Sequence, residues 1–482
     1  MTADRMVLGL DLGTTEVKAG LVAAADGRLV ALSRAGYGQD SREQRGWSEQ
    51  DPGAWWSAVI AAVRGLHLTD AIDIAAIGVD GHGPTLVAVD ARGEASHPAI
   101  TFLDTRAGGE AEELEAATGV RGWGLGGLPA ALWLERHEPL VAAQTRWYLA
   151  TWEWLALRLT GVAASPLVPD QLVPDRSLVE AAGVPGDRLP PPARTGDVVG
   201  ALTGTAADAL GLRAGTPIVG GTVDAFASYL GAGLLEPGDA YDPGGAAGGF
   251  GVYWDKQVEV AGGFVTPAPI AGLFSVGAAM AATGRALDWY RGRILGDTLT
   301  TSALLDEAAA TPPGADGLVF LPYLAGERSP IWDPEARGVL AGLTLAHGRG
   351  HVARAIVEAS ALAIRHVAQP MLEAGVRVTE MRVCGGPARS AFWNQVKADV
   401  TGFSVAVPAV LETAVLGSAI VAAVGVGIHG SLPEAIAAMT RIDTRIEPNA
   451  ALTPLYERLF DAYLVLYPAT ASILRGLDGS GS

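Results

Sequence analysis

Three stretches of the chain carry residue types suited to moving a phosphoryl group. That chemistry needs a cradle for phosphate oxygens, a divalent metal, and a base that orients the attacking hydroxyl. Asp11-Leu-Gly-Thr-Thr15 offers the first two. Gly13 lets backbone N–H groups approach a phosphate, and the hydroxyls of Thr14 and Thr15 can donate to its oxygens. Asp11, at the end of an apolar run, can hold Mg²⁺ through water, because Mg²⁺ gives up its waters reluctantly. Lys18 adds a cation nearby. The alternative is a β-hairpin whose turn simply needs glycine. Gly244-Gly-Ala-Ala-Gly-Gly249 is a second cradle candidate, since so dense a glycine run costs chain entropy and implies a backbone need. Its alternative is a flexible hairpin loop. Asp224 follows Gly220-Gly-Thr at the mouth of another apolar run, where a carboxylate can accept the proton of an attacking hydroxyl. Its alternative is the N-cap of the Ala-rich helix that follows. His82, within Gly81-His-Gly-Pro84, reads as a ligand-binding or a turn residue. Asp104 and Arg106 read as hydroxyl-binding groups or as a helix cap and a solvated charge.

These residues need elements to hold them. Met6 to Leu12 is a short apolar strand, followed after Gly-Thr-Thr by a second at Val17 to Ala24. Asp26-Gly27 makes a tight turn into Leu29 to Leu32. Asp51-Pro52 starts a helix over Trp55 to Leu66, with Asp51 as cap and Pro52 at its first position. Strands are expected at Ile72–Val79, with Thr85–Val89 and Ala99–Leu103 continuing the same sheet. Helices are expected at Thr105–Ala117, Pro129–Arg136 and Thr151–Leu159, and Ser165–Thr195 reads as irregular. Near Pro217 the pattern restarts: a strand, a Gly turn, and a small-residue helix over Ala225–Gly231. Glu236-Pro-Gly-Asp239 is the domain junction, dividing the chain into 1–236 and 237–482. Ala240 to Trp254 is again strand, Gly-rich turn, strand, so each half opens with one device, which points to an ancient duplication. His351–Met371 is helical, with Val352, Ile356, Ala359, Ala363 and Val367 at three- and four-residue steps. Glu380–Cys384 is a strand ending in Gly385-Gly386-Pro387, and a helix follows from Ser390. Strand–Gly turn–helix units belong to open α/β sheets, which bind ligands at strand carboxyl ends.

Composition narrows the function. A chain of 482 residues suits two domains, and 49% hydrophobic residues make it a packed globular protein. A net charge of -18 argues against a nucleic-acid partner, which would be held by Lys and Arg. ATP remains compatible, because its charge can be met locally by Mg²⁺, N–H groups and one or two cations. Lysine occurs only at Lys18, Lys256 and Lys397, and Cys384 is the sole cysteine. An internal disulfide is therefore excluded, which fits a reducing cytosol. Met1 to Arg5 lacks a signal-peptide pattern. The apolar run near Val415 to Ile428 is short and Gly-interrupted, so it reads as a buried helix and no membrane span is expected. A homodimer is expected only from the prevalence of two-fold oligomers.

Further motifs stand in order along the chain. Gly338-Val-Leu-Ala-Gly-Leu343, Thr344 to Gly350 and His351-Val-Ala-Arg-Ala-Ile-Val-Glu358 form one block. Leu321-Pro-Tyr-Leu-Ala-Gly-Glu-Arg-Ser-Pro330 precedes it and Gly385-Gly-Pro-Ala-Arg-Ser390 follows. Trp47-Ser-Glu-Gln-Asp-Pro52 and Trp133-Leu-Glu-Arg-His-Glu-Pro139 lie in the first half. In this order the chain resembles the FGGY family of carbohydrate kinases over nearly its whole length, most closely the xylulokinase-like branch. The resemblance implies an actin-like/hexokinase-like (ribonuclease H-like) α/β fold, two domains around a deep cleft, with sugar on the first and ATP on the second. It implies Asp224 as general base and sharer of the metal, Asp11 as the Mg²⁺-placing carboxylate, and Gly13, Thr14 and Thr15 facing the terminal phosphates. Gly244 and Gly245 would form the second phosphate loop. Gly385 and Gly386 would pass the adenosine, with Asn394 nearby. Gly81, His82, Asp104 and Asp224 would line the sugar pocket.

The chain also departs from the family. Ala246 and Ala247 stand where Thr and Ser are usual in the second phosphate loop. Ala225 follows Asp224 where xylulokinases tend to have Asn, and Gly81-His-Gly83 is shorter than their Gln-Met-His-Gly. Ala130 stands where the N-terminal signature expects a Lys. The reading is an ATP- and Mg²⁺-dependent kinase of a small sugar, a ketopentose such as xylulose by resemblance. Domain closure would exclude water so that ATP is not hydrolysed idly. The alternatives are another polyol or sugar acid (ribulose, gluconate, glycerol, erythritol) and a catalytically weak nucleotide-binding regulator.

Overall fold

The computed structural model describes residues 5–38, 46–69, 72–169, 171 and 173–477. The reading of Met1–Arg5 falls, Arg5 apart, outside the described residues. The chain packs as two compact units. One comprises Met1–Gly233, Pro267–Gly272 and Glu412–Arg441, and the other Leu234–Thr266, Leu273–Leu411 and Ile442–Ser482.

The first unit is built on a six-stranded sheet. β1 (Met6–Leu12), β2 (Glu16–Ala23) and β3 (Leu29–Gly36) form an antiparallel meander. β4 (Ile74–Gly81) pairs parallel with β1, β6 (Pro217–Val223) pairs parallel with β4, and β5 (Val198–Ala201) closes the edge antiparallel to β6. The order is β5-β6-β4-β1-β2-β3. β1 and β4 read as continuous apolar runs because both faces of a central parallel strand are covered. The helix Pro52–Arg64 starts as the sequence indicates, with the Asp51 carboxylate accepting from Gly53 N–H and Pro52 in its first turn.

The other face of this sheet is covered by a late segment. The helix Thr413–Gly425 lies across β1 and β4 at very close range. A Cβ on Gly9 would stand 2.1 Å from the Val415 carbonyl oxygen, and one on Gly78 would stand 2.0 Å from that of Ser418. Glycine in these strands is thus a packing requirement. The return of Glu412–Arg441 departs from a simple division at 236/237, because its nearly all-buried helix finds its apolar partners in the first sheet. Two smaller expectations are corrected as well. Val87–Val89 pairs with Trp147–Leu149, and Ala99–Ile100 with Glu49–Gln50, each in a separate two-stranded sheet. Both sides of β4 are already taken by β1 and β6.

The second unit repeats the plan. Its strands are β7 (Asp239–Asp242), β8 (Gly249–Trp254), β9 (Phe264–Pro267), β10 (Phe274–Ala279), β11 (Glu380–Val383), β12 (Val405–Pro408) and β13 (Ile442–Ile446). They run in the order β9-β10-β8-β7-β11-β12-β13. β7, β8 and β10 are antiparallel neighbours, β11 and β12 continue parallel from β7, and β13 closes antiparallel. Six of these seven strands repeat the pairing of β1–β6, with β9 added at the edge and β13 reaching its place from after β12 where β5 precedes β6. The helix Arg349–Glu373 buries Ile356, Ala359, Ala363 and Val367 on its periodic face. Ser390 caps the helix Ala391–Thr401 by accepting from Trp393 N–H. Among the described residues no helix is long and apolar enough to cross a membrane.

Candidate active site

Three carboxylates converge at the carboxyl ends of the parallel strands of the first unit, where open α/β sheets bind ligands. Asp11, the last residue but one of β1, stands beside Asp80 in the register with β4, and Asp224 stands one residue beyond β6. Asp11 is 3% exposed, and Lys18 Nζ lies 3.1 Å from its Oδ2. The same ammonium is 3.7 Å from Glu412 Oε2, and its pKa is raised, chiefly by Asp11. Asp80 is fully buried and accepts the Ser418 hydroxyl at 2.5 Å. Burial, reinforced by the charges of Asp11 and Asp224, pushes its carboxyl well above the usual range.

Asp224 opens the helix Asp224–Gly231 as its first residue, so the capping alternative is displaced by one position onto Val223. Its Oδ1 accepts from Ala225 N–H at 2.7 Å. The side chain is half-buried, yet poor solvation, with Asp11 adding, pushes its pKa up to about 7; the Ala225 N–H and Lys18 oppose the shift. A carboxylate poised there can take a proton near neutral pH.

The turn after β1 is held from behind. Gly13 N–H donates to the Glu16 carbonyl at 3.1 Å, and the Tyr37 hydroxyl donates to the Gly13 carbonyl. Gln50 Nε2 donates to the Thr14 carbonyl at 2.9 Å and is itself fixed by Trp55 Nε1. Gly13 therefore spends its own N–H within the turn, and Thr15 is the exposed residue there.

The remaining first-unit candidates divide. Gly81 adjoins Asp80, and a Cβ there would stand 2.3 Å from Thr151 Oγ1. His82 is 1% exposed; its Nδ1 meets Thr85 Oγ1 at 3.0 Å, and its ring packs edge-on against Trp55. It is a buried ring at the turn that follows β4. Asp104 belongs to another cluster. Its two oxygens take Nε and Nη2 of Arg106 at 2.9 and 2.6 Å and Ser48 N–H at 2.6 Å. Arg106 also pairs with Glu49 and lies 3.6 Å over the Trp47 ring, with Trp133 on a further side. The two tryptophan motifs of the first half meet here, and Asp104 spends its acceptors on this pairing.

In the second unit the two glycine motifs pack backbone to backbone. A Cβ on Gly244, whose φ is +56°, would stand 2.1 Å from the Cys384 carbonyl, and one on Gly385 would stand 2.7 Å from that of Pro243. Gly245 and Gly386 are exposed, with nothing within 4 Å of where a Cβ would be. Asn394 is buried, its Nδ2 donating to the Ala388 carbonyl at 2.8 Å, which ties its helix to the Gly385 turn.

Four participants escaped the sequence reading. Asp80 ends an apolar strand just before Gly81, the same device as Asp11, and could have been found by that signal. Ser418 and Glu412 carry no local signal, because they arrive from the far end of the chain. The fourth is the Lys397–Asp242 pair, at 2.5 Å; its signal was the rarity of lysine.

The chain matches the FGGY family of carbohydrate kinases, N-terminal domain, over residues 6–231, and the C-terminal domain of the same family over residues 250–426. It is 30% identical to the xylulose kinase of Bacillus subtilis (strain 168) over 97% of this chain and 98% of that protein. It is 27% identical to the gluconokinase of the same organism over 98% of both. The crystal structure of xylulose kinase from Rhodospirillum rubrum superposes with a TM-score of 0.82 at 31% identity, covering 98% of this chain and 100% of that one.

Proposed function

On the premise that the chain belongs to the FGGY family of carbohydrate kinases, and so is a phosphotransferase acting on a sugar hydroxyl, we propose that its substrate is a ketopentose such as xylulose and its general base is Asp224. The observation that carries the base is the position of Asp224 at the mouth of β6 with a pKa raised to about 7. The substrate class rests on the relatives named xylulose kinase.

The family implies ATP as phosphoryl donor, and exposed Gly245 and Gly386 fit it, since each leaves open the space a side chain would fill. Mg²⁺ fits the hard oxygen donors Asp11 and Asp224. Among the described residues no cluster of three or more His, Cys, Asp or Glu forms a ready metal cage. Mg²⁺ would be shared between one or two carboxylates and the substrate phosphates. Bound MgATP supplies the transferable γ-phosphoryl group. Asp224 accepts the proton of the attacking hydroxyl, and Lys18, 3.1 Å from Asp11 Oδ2, orients that carboxylate. Thr14 and Thr15 present hydroxyls beside Asp11, while Gly244 and Gly385 shape the second cradle. Gly81, His82 and Asp104 act on the sugar side, the last two by holding the local backbone and Arg106. Action in the cytosol and a homodimer belong to the same reading.

A second substrate reading is favoured by one observation: Ala225 and the short Gly81-His-Gly83 segment depart from xylulokinases beside Asp224, and a relative named gluconokinase matches 98% of the chain. ADP release with MgATP is therefore to be measured against ketopentoses, aldonates and polyols, with a no-sugar blank. Turnover on a ketopentose above all others supports the first reading; preference for an aldonate or polyol replaces the substrate and keeps the kinase. MgATP binding with no turnover on any sugar leaves the regulator alternative.

A further inference from the structure

Lys397 and Asp242 form a pair that no part of the proposed reaction uses. Lys397 Nζ lies 2.5 Å from Asp242 Oδ2, and the two side chains are 3% and 4% exposed. Asp242 ends β7, and its other oxygen, Oδ1, accepts the Gly244 N–H at 2.9 Å. The carboxylate thus links a buried ammonium to the first glycine of the loop. Both residues line a cavity of about 20 Å³ together with Gly244, Gly245, Thr283 and Ser360, room for about one water.

The loop itself is oriented. The Ala246 carbonyl accepts from Arg285 N–H at 3.0 Å, and the Ala247 carbonyl accepts from both the N–H and the hydroxyl of Thr283 at 3.1 Å. With Ala at 246 and 247, the loop itself offers a phosphate backbone N–H groups and no hydroxyls. A lone buried carboxylate two residues before such a loop would repel the phosphates it serves, because charges in a poorly solvated site interact strongly. The first unit solves the same problem the same way: Lys18 sits on Asp11 at the end of β1, the strand that corresponds to β7. Two of the three lysines in the chain are spent on these two pairs.

We propose that Lys397 is a positioning residue for the nucleotide phosphates: it acts through Asp242, cancelling its charge and fixing the Gly244 turn. The proposal rests on the reading of Gly244–Gly249 as the nucleotide phosphate loop. The test compares the full-length wild-type chain, Lys397→Met, and the double variant Asp242→Asn/Lys397→Met. The readouts are KM for MgATP, KM for the sugar, and the rise in Tm produced by MgADP. Removing one partner of a buried pair is damaging, whereas removing both charges is tolerated. Lys397→Met is expected to raise KM for MgATP about tenfold or more and to shrink the MgADP-induced rise, with the sugar KM nearly unchanged. The double variant, which also controls for folding, is expected to recover most of that loss. An unchanged MgATP KM in Lys397→Met, equal shifts in both KM values, or a double variant no better than the single would overturn the proposal. Absence of sugar-dependent turnover in the wild type would instead remove the kinase reading on which it rests.

Discussion

The Ser418 hydroxyl donates to Asp80 Oδ2 at 2.5 Å, although the two residues are 338 positions apart. The carboxylate cluster at the ends of β1, β4 and β6 is therefore completed by the helix Thr413–Gly425, far along the chain from all three strands. Asp80 is fully buried. Ser418→Ala is expected to destabilise the first unit by about 1–3 kcal/mol, the cost of stranding a buried acceptor. Denaturant unfolding checks this; an unchanged midpoint would mean that Asp80 finds another donor.

The pH dependence follows from Asp224. As a base with a pKa near 7, it works only when deprotonated. With substrates below saturation, kcat/KM, which reports the base of the free enzyme, is expected to rise with pH through about 7 and level off above it. Stability runs the other way. The folded pKa is raised from an ordinary 3.8 to about 7, so the protonated form is favoured by folding. That contribution is fully present below about pH 4 and is lost as pH rises through about 7. Asp224→Asn removes the penalty of the buried charge, so its Tm should exceed the wild-type value at pH 8 and approach it at pH 4.

The two glycines of the second loop should behave differently. Gly244→Ala meets the Cys384 carbonyl at 2.1 Å in a left-handed conformation, so it is expected to cost ~1–3 kcal/mol in stability as well as nucleotide binding. Gly245→Ala meets nothing within 4 Å, so its Tm should be unchanged and any effect should appear in the MgATP KM alone. Thermal melts paired with kinetics separate the two cases; a shared fall in Tm would contradict the geometry.

Restoring the hydroxyls usual in the family offers a gain-of-function test. Ala246→Thr with Ala247→Ser supplies two donors, each worth about 0.5–1.5 kcal/mol if it reaches a phosphate oxygen. The MgATP KM is expected to fall several-fold, with the sugar KM unmoved. No change would place the phosphates away from these two positions.

Sequence and structure agree where the signal is local. The strand Met6–Leu12, the Asp51-Pro52 helix start and the helix from Ser390 all follow from apolar periodicity and capping. The places of Asp11, Gly244 and Asp224 near strand ends were legible for the same reason. Non-local facts were not legible. Nothing near Thr413–Gly425 announces that it packs on β1 and β4; only the close approach to Gly9 and Gly78 explains it. His82, read as a turn or ligand residue, and Asp104, read as a hydroxyl binder or helix cap, are engaged in the fold by Thr85, Trp55 and Arg106. Asp80 was passed over because the expected strand Ile72–Val79 stops one residue short of it, whereas the strand runs to Gly81.

The central claim is that Asp224 is the base of sugar phosphorylation. Sugar-dependent ADP release by Asp224→Asn, measured beside MgATP binding by calorimetry, tests it most directly. The account predicts a fall in turnover of about 10²–10⁴-fold with MgATP still bound. Turnover close to that of the wild type would contradict it.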